Sequence, residues 1–403
     1  MFNTLEDYRG IIGDDVIAGI HAKARRLLGR RVLHVNSTYQ GGGVAELLAS
    51  LVPLTNDAGV DADWRILLGT YDFFDVTKRF HNALQGGTVE LDERALEFYE
   101  ETNRAFAGWA QLDRDVVIVH DPQPLPLIRY FKKRQPWVWR CHIDLSDPDP
   151  RLWHYLKGFI LRYDVMLVSH PDYLHEDLPV PQRIVHPAID PLAAKNIALD
   201  DEELARILAR ENIPLDKPLM TQVSRFDPWK DPLGVVEVFK KVREEVDCRL
   251  VLCGSMASDD PEGFVIYEQV AQSARELIDS GDVIVIAKDS PSLFINALQR
   301  VSSVILQKST REGFGLTVAE AMWKGKPVVA SHVGGIPLQI THGKTGFLVD
   351  PRDLDDVARV VIELLRDPEL RDTIGAQARE AVREKFLITR LLSDYLDVLN
   401  DVL

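Results

Sequence analysis

Residues 308–329 read K-S-T-R-E-G-F-G-L-T-V-A-E-A-M-W-K-G-K-P-V-V. They follow a short apolar, β-branched run, Val301 to Leu306, and pass through Gly313 and Gly315 into a helical pattern with Val318, Ala321 and Met322 on one face. That order predicts a strand, a loop and a helix. Such a junction presents unpaired backbone N–H groups and the positive end of a helix dipole to whatever lies above the strand, which suits an anion. The two glycines let the backbone approach a bulky ligand, while Glu312, just before them, is placed to accept hydrogen bonds from neutral hydroxyls. Phosphate and polyol together suggest a nucleotide-sugar.

Both glutamates of this stretch also have plainer uses. Glu320, eight positions after Glu312, completes Thr317-Val318-Ala319-Glu320, a legitimate capping box that would do no more than satisfy helix-start N–H groups. The local sequence favours that cap. Glu312 in turn could be a solvated loop carboxylate paired with Arg311.

A chain of 403 residues is too long for one ordinary core and fits two domains, which implies a cleft. The formal net charge of −15, from 47 basic and 62 acidic residues, argues against nucleic acid or an anionic membrane as the main partner. An anionic small molecule would then need a local basic pocket. The three cysteines, Cys141, Cys248 and Cys253, lack a CxxC spacing, so neither a disulfide framework nor a zinc site is expected, and reduced thiols fit a cytosolic protein. The N-terminus carries no leader pattern and no stretch approaches the ~20 apolar residues of a membrane span. The expectation is a cytoplasmic protein without stable membrane association. The helical run from Asp14 to Leu28 has a short apolar stripe and a modest basic cluster, and reads as docking on its own domain.

Val32–Asn36, Trp64–Leu68, Val116–His120, Trp137–Arg140 and Val165–Ser169 are β-like runs separated by helical segments. The alternation predicts a parallel sheet with helices on both faces, with ligands outside the carboxyl ends of its strands. After the first run come Gly41, Gly42 and Gly43, a second candidate anion cradle that taken alone is equally a tight corner. Further loops carry His120, His142, Asp144 and His170. His142 could be a hydrogen-bonded structural histidine and Asp144 a turn cap, but three histidines after three strands of one sheet favour a site.

Pro187 to Pro191 reads as a linker. A second α/β series then runs through Leu219–Val223, Arg249–Gly254, Val283–Ala287, Val301–Leu306 and Pro327–Ala330, with helices from Leu354 to Leu365 and Pro368 to Phe386. The loop S-R-F-D-P-W-K-D-P places Arg225 and Lys230 five positions apart. Two cations there could grip a diphosphate; the alternative is a surface turn paired with Asp227 and Asp231. The apolar stretch Leu391–Leu403 needs a surface to lie on.

With these loops and the Glu312/Glu320 spacing in hand, the chain resembles retaining glycosyltransferases of the GT-B fold with an E-x7-E motif, the large family that includes sucrose synthases. H-V-N-S-T-Y-Q-G-G-G-V-A-E, H-D-P-Q-P-L, W-R-C-H-I-D, S-R-F-D-P-W-K-D-P and R-E-G-F-G-L-T-V-A-E-A-M-W-K are similar, more narrowly, to its trehalose glycosyltransferring members. The resemblance implies an α/β architecture of two Rossmann-like domains facing across a cleft. Residues 1–190, with 388–403 as a returning C-terminal helix, would form the acceptor side, and 191–387 the nucleotide-sugar-binding side.

The resemblance also implies roles. Arg225 and Lys230 would hold the donor diphosphate and Glu320 the ribose hydroxyls. Glu312 would bind the 3- and 4-hydroxyls of the transferred glucose, supported by backbone N–H groups from Gly313, Phe314, Gly315 and Leu316. The loop Gly41, Gly42, Gly43 would close on the phosphates, and His142 would sit beside the reacting sugar, with Asp144 next to it in the candidate catalytic set. Same-face attack, a leaving phosphate oxygen taking the acceptor proton, is the implied route to retention, so no nucleophile is assigned. The implied substrates are UDP- or ADP-glucose with glucose or trehalose; a homodimer is left open. The nucleotide-sugar is a substrate and no cofactor is expected. The D-x-D strings at Asp61, Asp113, Asp147 and Asp353 are ordinary in so acidic a chain, and Mg²⁺ is not implied where Arg225 and Lys230 supply charge. Alternatives are another sugar or sugar-phosphate acceptor, and a sugar-nucleotide epimerase or sensor on the same architecture.

Overall fold

The structure is a computed structural model that describes residues 3–39, 42–90, 92–254, 261–288 and 290–403. Its first sheet contains β1 (Arg31–Asn36), β2 (Asp61–Ile66), β3 (Val116–His120), β4 (Trp137–Arg140), β5 (Val165–Val168) and β6 (Gln182–Ile184) in the order β2-β1-β3-β4-β5-β6. The second contains β7 (Leu219–Val223), β8 (Arg249–Gly254), β9 (Val283–Ala287), β10 (Val304–Gln307), β11 (Val328–Ser331) and β12 (Phe347–Val349) in the order β12-β11-β10-β7-β8-β9. Every pairing within them is parallel. Parallel strands joined by crossover helices are covered on both faces, which is why β3, β4, β7 and β8 are buried along their whole length instead of alternating.

The chain divides into two compact units, Met1–Ala188 with Leu387–Leu403, and Ile189–Phe386. The last helix, Ile388–Val402, buries Ile388, Leu391, Leu392, Tyr395, Leu396 and Leu399 at helical spacing and packs in the first unit on helices Asp14–Ala24 and Gly43–Asp57. Arg390 ties its start to the strand-end segment by donating to the His186 and Pro187 carbonyls at 2.8 and 2.9 Å. The three cysteines are buried and free. Among the described residues no helix is long and apolar enough to cross a membrane.

Two strands depart from the sequence reading: β2 spans Asp61–Ile66 where Trp64–Leu68 is expected, and β10 begins later than its apolar run. Val301 is the last residue of helix Ser292–Val301, and the strand starts at Val304. Phe294, Leu298 and Val301 lie on one helical stripe, and Ser302 closes the helix by donating both its N–H and its hydroxyl to the Leu298 carbonyl.

Strand order reverses once in each sheet, between β1 and β3 in the first and between β7 and β10 in the second. At such a reversal the two flanking crossovers leave in opposite directions, and a crevice opens at the carboxyl ends of the two strands. The loops that follow β7 and β10 carry Arg225, Lys230 and Glu312. Those that follow β1 and β3 carry the glycine run and Asp121.

Candidate active site

The loop after β7 is built by its own aspartates. Asp227 accepts from the Trp229 N–H at 2.8 Å to start the turn Pro228–Lys230, and its other oxygen lies 3.2 Å from Arg225 Nη2. Gln222, on β7, donates to the Lys230 carbonyl at 2.9 Å and accepts from the Lys308 N–H at 3.1 Å, so one side chain clamps both loops of the crevice. Lys230 Nζ then reaches Glu312 Oε2 at 2.5 Å, with the two side chains only 17% and 11% exposed. Gln307 Nε2 and Ser309 Oγ donate to the same oxygen at 3.2 and 3.4 Å.

This geometry decides between the readings left open above. Glu312 does not pair with Arg311, whose guanidinium lies 5.7 Å from the centre of the Trp229 ring. Lys230 does not pair with Asp231, which instead holds Lys308 and caps helix Pro232–Arg243 through the Gly234 N–H at 3.0 Å. Lys308 is 2% exposed. Arg225 keeps Asp227 as its partner but is 51% exposed.

Gly315 has φ +83 and occupies the N-cap of helix Leu316–Trp323. An L-residue is strained there, and a β-carbon would come within 3.2 Å of Glu312 Cγ. Gly335 backs the same loop so closely that a β-carbon would stand 2.6 Å from the Gly313 carbonyl oxygen. Gln339 donates to the Phe314 carbonyl at 2.6 Å, and the Phe314 ring packs 5.6 Å from Phe386. The run from Gly313 to Leu316 is therefore fixed at the helix start beside Glu312.

The capping box is not formed. With Gly315 at the N-cap, Thr317 is already inside the helix and its hydroxyl bonds to Gln307 Oε1 at 3.3 Å. Glu320 lies a turn further in, 4% exposed, with Oε1 3.5 Å from Lys195 Nζ. Its Oε2 is buried and has no hydrogen-bond partner among the described residues. Lys324, the residue that closes this helix, donates to Asn196 Oδ1 at 2.9 Å and to the Glu320 carbonyl at 3.0 Å. Burial pushes its ammonium down to about 7, although the Glu320 charge pulls the other way.

At the reversal in the first sheet, Gly42 has φ +134 and precedes helix Gly43–Asp57; Gly41 lies outside the described residues. His142 donates its backbone N–H to Asp121 Oδ1 at 2.7 Å, and its ring Nε2 is 3.0 Å from His120 Nδ1. His120 Nε2 is in turn 3.0 Å from His34 Nδ1. Burial, then the neighbouring His34 and His142 rings and the Arg140 charge, hold His120 well below the usual imidazole range. Burial and then Arg140 do the same for His142, and burial pushes His34 down to about 3. Asp121, in a left-handed conformation at φ +61, is pushed up to about 6 by burial against the lowering effect of the His142 N–H and Arg140. Asp144 Oδ1 accepts from the Ser146 N–H and hydroxyl at 2.9 and 2.6 Å, which makes it the cap of the turn after His142.

The D-x-D strings have structural uses. Asp63 pairs with Arg114 and Asp115 with Arg31, while Asp149 and Asp353 cap helices and Asp355 meets Lys241.

Compared with known proteins, the chain matches the family descriptions "Trehalose synthase, N-terminal domain" over residues 34–175 and "Glycosyl transferases group 1" over residues 205–381. It is 46% identical over 404 residues to the trehalose synthase of Pyrococcus horikoshii, covering 99% of this chain and 96% of that protein. The chain belongs to the trehalose synthase family. A further trehalose synthase, from Rubrobacter xylanophilus, is 44% identical over 97% of this chain and 95% of its own length. Among solved structures, an α,α-trehalose-phosphate synthase (UDP-forming) from Burkholderia xenovorans in complex with glucose-6-phosphate superimposes with a TM-score of 0.75 at 14% identity, covering 92% of this chain and 100% of that one. The fold is thus GT-B, and the protein is an enzyme, a glycosyltransferase.

In this member of the trehalose synthase family the second unit brings Lys230, Glu312, Gly313, Phe314, Gly315 and Leu316 together, with Arg225 on the same loop as Lys230 and Glu320 one helical turn behind. Lys195 and Lys308, which neutralise or hold charges of that crevice, are absent from the sequence-based site, and Asp231 enters it only as an alternative partner of the two cations, not as the partner of Lys308. Lys308 carries a signal in hindsight: a lysine directly after a buried strand must find an anion. His34 was read only as a strand residue.

Proposed function

We propose that this enzyme transfers glucose from a nucleoside-diphosphate glucose, UDP- or ADP-glucose, to free glucose with retention, forming trehalose, and that it also runs the reverse reaction. The observation that carries the reading is the contact between Lys230 and Glu312 at the strand reversal of the second unit, beside the glycine-set helix start. Cleaving the bond from sugar to phosphate builds negative charge on the leaving diphosphate and positive charge on the ring. Lys230 and Arg225 would stabilise the first, with the N–H groups at the start of helix Leu316–Trp323. Glu312, held by Lys230, Gln307 and Ser309, would accept from the hydroxyls of the transferred glucose. Glu320 would receive the ribose hydroxyls: a buried carboxylate oxygen without a hydrogen-bond partner among the described residues gains most from a ligand donor.

On the first unit, His142 would face the reacting sugar and Asp144 would hold the loop that carries it. The acceptor hydroxyl would attack from the face the diphosphate leaves, passing its proton to a departing phosphate oxygen, so the protein need supply no nucleophilic carboxylate.

The test is an acceptor screen. Incubation of labelled UDP- and ADP-glucose with glucose, fructose and sugar phosphates should give a labelled non-reducing disaccharide with glucose. Transfer to a sugar phosphate alone, or release of a free epimer, would overturn the reading.

A further inference from the structure

Three histidines of the first unit, His34, His120 and His142, form a chain, and the reaction described above uses only His142. In the sheet register His34 on β1 stands opposite Ile118 on β3, and Ile118 opposite Val138 on β4. His120 stands opposite Arg140, one two-residue step further along, and His142 lies two residues beyond Arg140. Steps of two keep side chains on one face of a sheet, so the rings climb diagonally from the sheet interior to its carboxyl edge. Adjacent ring centres are 5.3 Å apart in both steps, and each step is closed by a nitrogen-to-nitrogen contact of 3.0 Å.

Those two contacts restrict the protons. Each requires one N–H and one lone pair, and a neutral imidazole has one of each. If His142 carries its proton on Nε2, it donates to His120 Nδ1; His120 must then be protonated on Nε2 and donate to His34 Nδ1, which leaves His34 protonated on Nε2. If His34 carries its proton on Nδ1, the same logic puts it on Nδ1 in all three. The neutral chain therefore has two registers, each with a common tautomer, and they differ in whether His142 Nδ1 offers a lone pair or an N–H.

The surroundings keep the chain neutral. Arg140 is wholly buried in the row of His120, and its Nε and Nη1 have no hydrogen-bond partner among the described residues. Asp121 takes the backbone N–H of His142 rather than a ring proton. Cys141 is buried, and Tyr395 from the last helix packs its ring 5.8 Å from His34. No carboxylate contacts a ring nitrogen along the chain in any hydrogen bond of the described residues.

We propose that His120 and His34 are positioning residues for glycosyl transfer, which orient the His142 ring and fix, through one shared tautomer, the hydrogen-bond polarity its Nδ1 presents to a sugar hydroxyl. This rests on the reading of His142 as the residue beside the reacting sugar. A relay of this kind lets an imidazole keep one orientation and remain uncharged while meeting a hydroxyl that is itself both donor and acceptor.

Two measurements test it together. The first is long-range proton–nitrogen correlation on protein labelled with ¹⁵N-histidine, with the signals assigned by His34→Gln, His120→Asn and His142→Gln. All three rings should be neutral at neutral pH and share one tautomer; mixed tautomers, or a His120 that titrates in the ordinary imidazole range, would overturn the relay. The second is kinetic. The amide of asparagine lies at the distance of Nδ1 from the backbone and that of glutamine at the distance of Nε2, so His120→Asn keeps the contact to His142 and His120→Gln keeps only that to His34. His120→Asn, which still holds His142 but cuts it off from His34, should lose several-fold and less than about tenfold in kcat/KM for glucose, whereas His120→Gln and His120→Phe should lose about 10- to 100-fold, the scale of removing a partner that orients a working histidine. UDP affinity by calorimetry should be unchanged in all three. Equal losses in the asparagine and glutamine variants, tracking their melting temperatures, would reduce His120 to a packing role. Full activity of His142→Ala would instead overturn the placement of His142 itself, an outcome distinct from failure of the relay.

Discussion

Lys230 Nζ and Glu312 Oε2 are 2.5 Å apart although 82 residues separate them, and the contact makes each side chain the other's support. Replacing Lys230 by alanine should therefore do two things. Activity should fall by at least about a hundredfold, as expected for a cation aimed at a leaving group. Stability should also fall, by roughly 1–3 kcal/mol, because the largely buried Glu312 carboxylate loses the cation of its ion pair. Lys230→Met combined with Glu312→Gln should recover the melting temperature and none of the activity. A stable, active Lys230→Ala variant would sink both the diphosphate role and the importance of the pair.

Arg225 offers the complementary case. It is half exposed and, among the described residues, bound to Asp227 on its own turn, so Arg225→Ala should change stability by no more than about 0.5 kcal/mol. Its loss should still lower kcat/KM for the nucleotide-sugar by about 10- to 100-fold if the guanidinium meets the diphosphate. Initial rates and a melting curve on the same preparation decide it, and near-normal turnover would exclude the role.

The contrast between these two cations shows what the sequence could and could not convey. Buried strands such as Val116–His120 and Val165–Val168 are legible because covered parallel strands are near-continuously apolar. The glycine loops are legible because Gly315 adopts a backbone conformation that other residues resist. Partner choice is not legible. Lys230 had Asp227 and Asp231 as sequence neighbours, yet the strand order β10-β7 brings Glu312 to it and gives Asp231 to Lys308. The same holds for His34, 86 residues from His120, since only the placement of β3 beside β1 joins them. Thr317 failed as a cap for a local reason: the sequence offers two helix starts two residues apart, and the left-handed Gly315 takes the earlier one.

Glu320 now has a sharper test. Glutamine keeps the size of the side chain and would serve equally in a capping box, so Glu320→Gln should leave the melting temperature nearly unchanged and isolate the binding role. If the carboxylate receives the ribose hydroxyls, the amide should weaken UDP binding by about tenfold, or roughly 1.4 kcal/mol, as read by calorimetric titration. KM for the nucleotide-sugar should rise with little change in kcat, since the ribose does not change charge during transfer. Unaltered affinity together with a lower melting point would leave Glu320 a purely structural partner of Lys195.

Asp121 should make stability depend on pH in a direction opposite to that of an ordinary paired carboxylate. Its folded-state pKa is pushed up to about 6 by burial, above the unfolded value of about 3.9, so the folded chain binds this proton more tightly than the unfolded chain. The stability it contributes is then fully present below about pH 4 and is lost as the pH rises through about 6. Asparagine has no charge to bury, and its Oδ1 can still accept from the His142 N–H. A shift of this size corresponds to about 3 kcal/mol for a fully buried group, and the partial exposure of Asp121 brings the expected difference to roughly 1–2 kcal/mol. Asp121→Asn should therefore resemble the parent near pH 4.5 and become more stable than it by that amount near about pH 7.5, with the change centred between those values. Denaturant unfolding of both proteins at three pH values measures it. A constant difference across the range would show that the Asp121 carboxyl does not titrate in that window, and a variant less stable at every pH would show that its negative charge, set against Arg140, stabilises the fold.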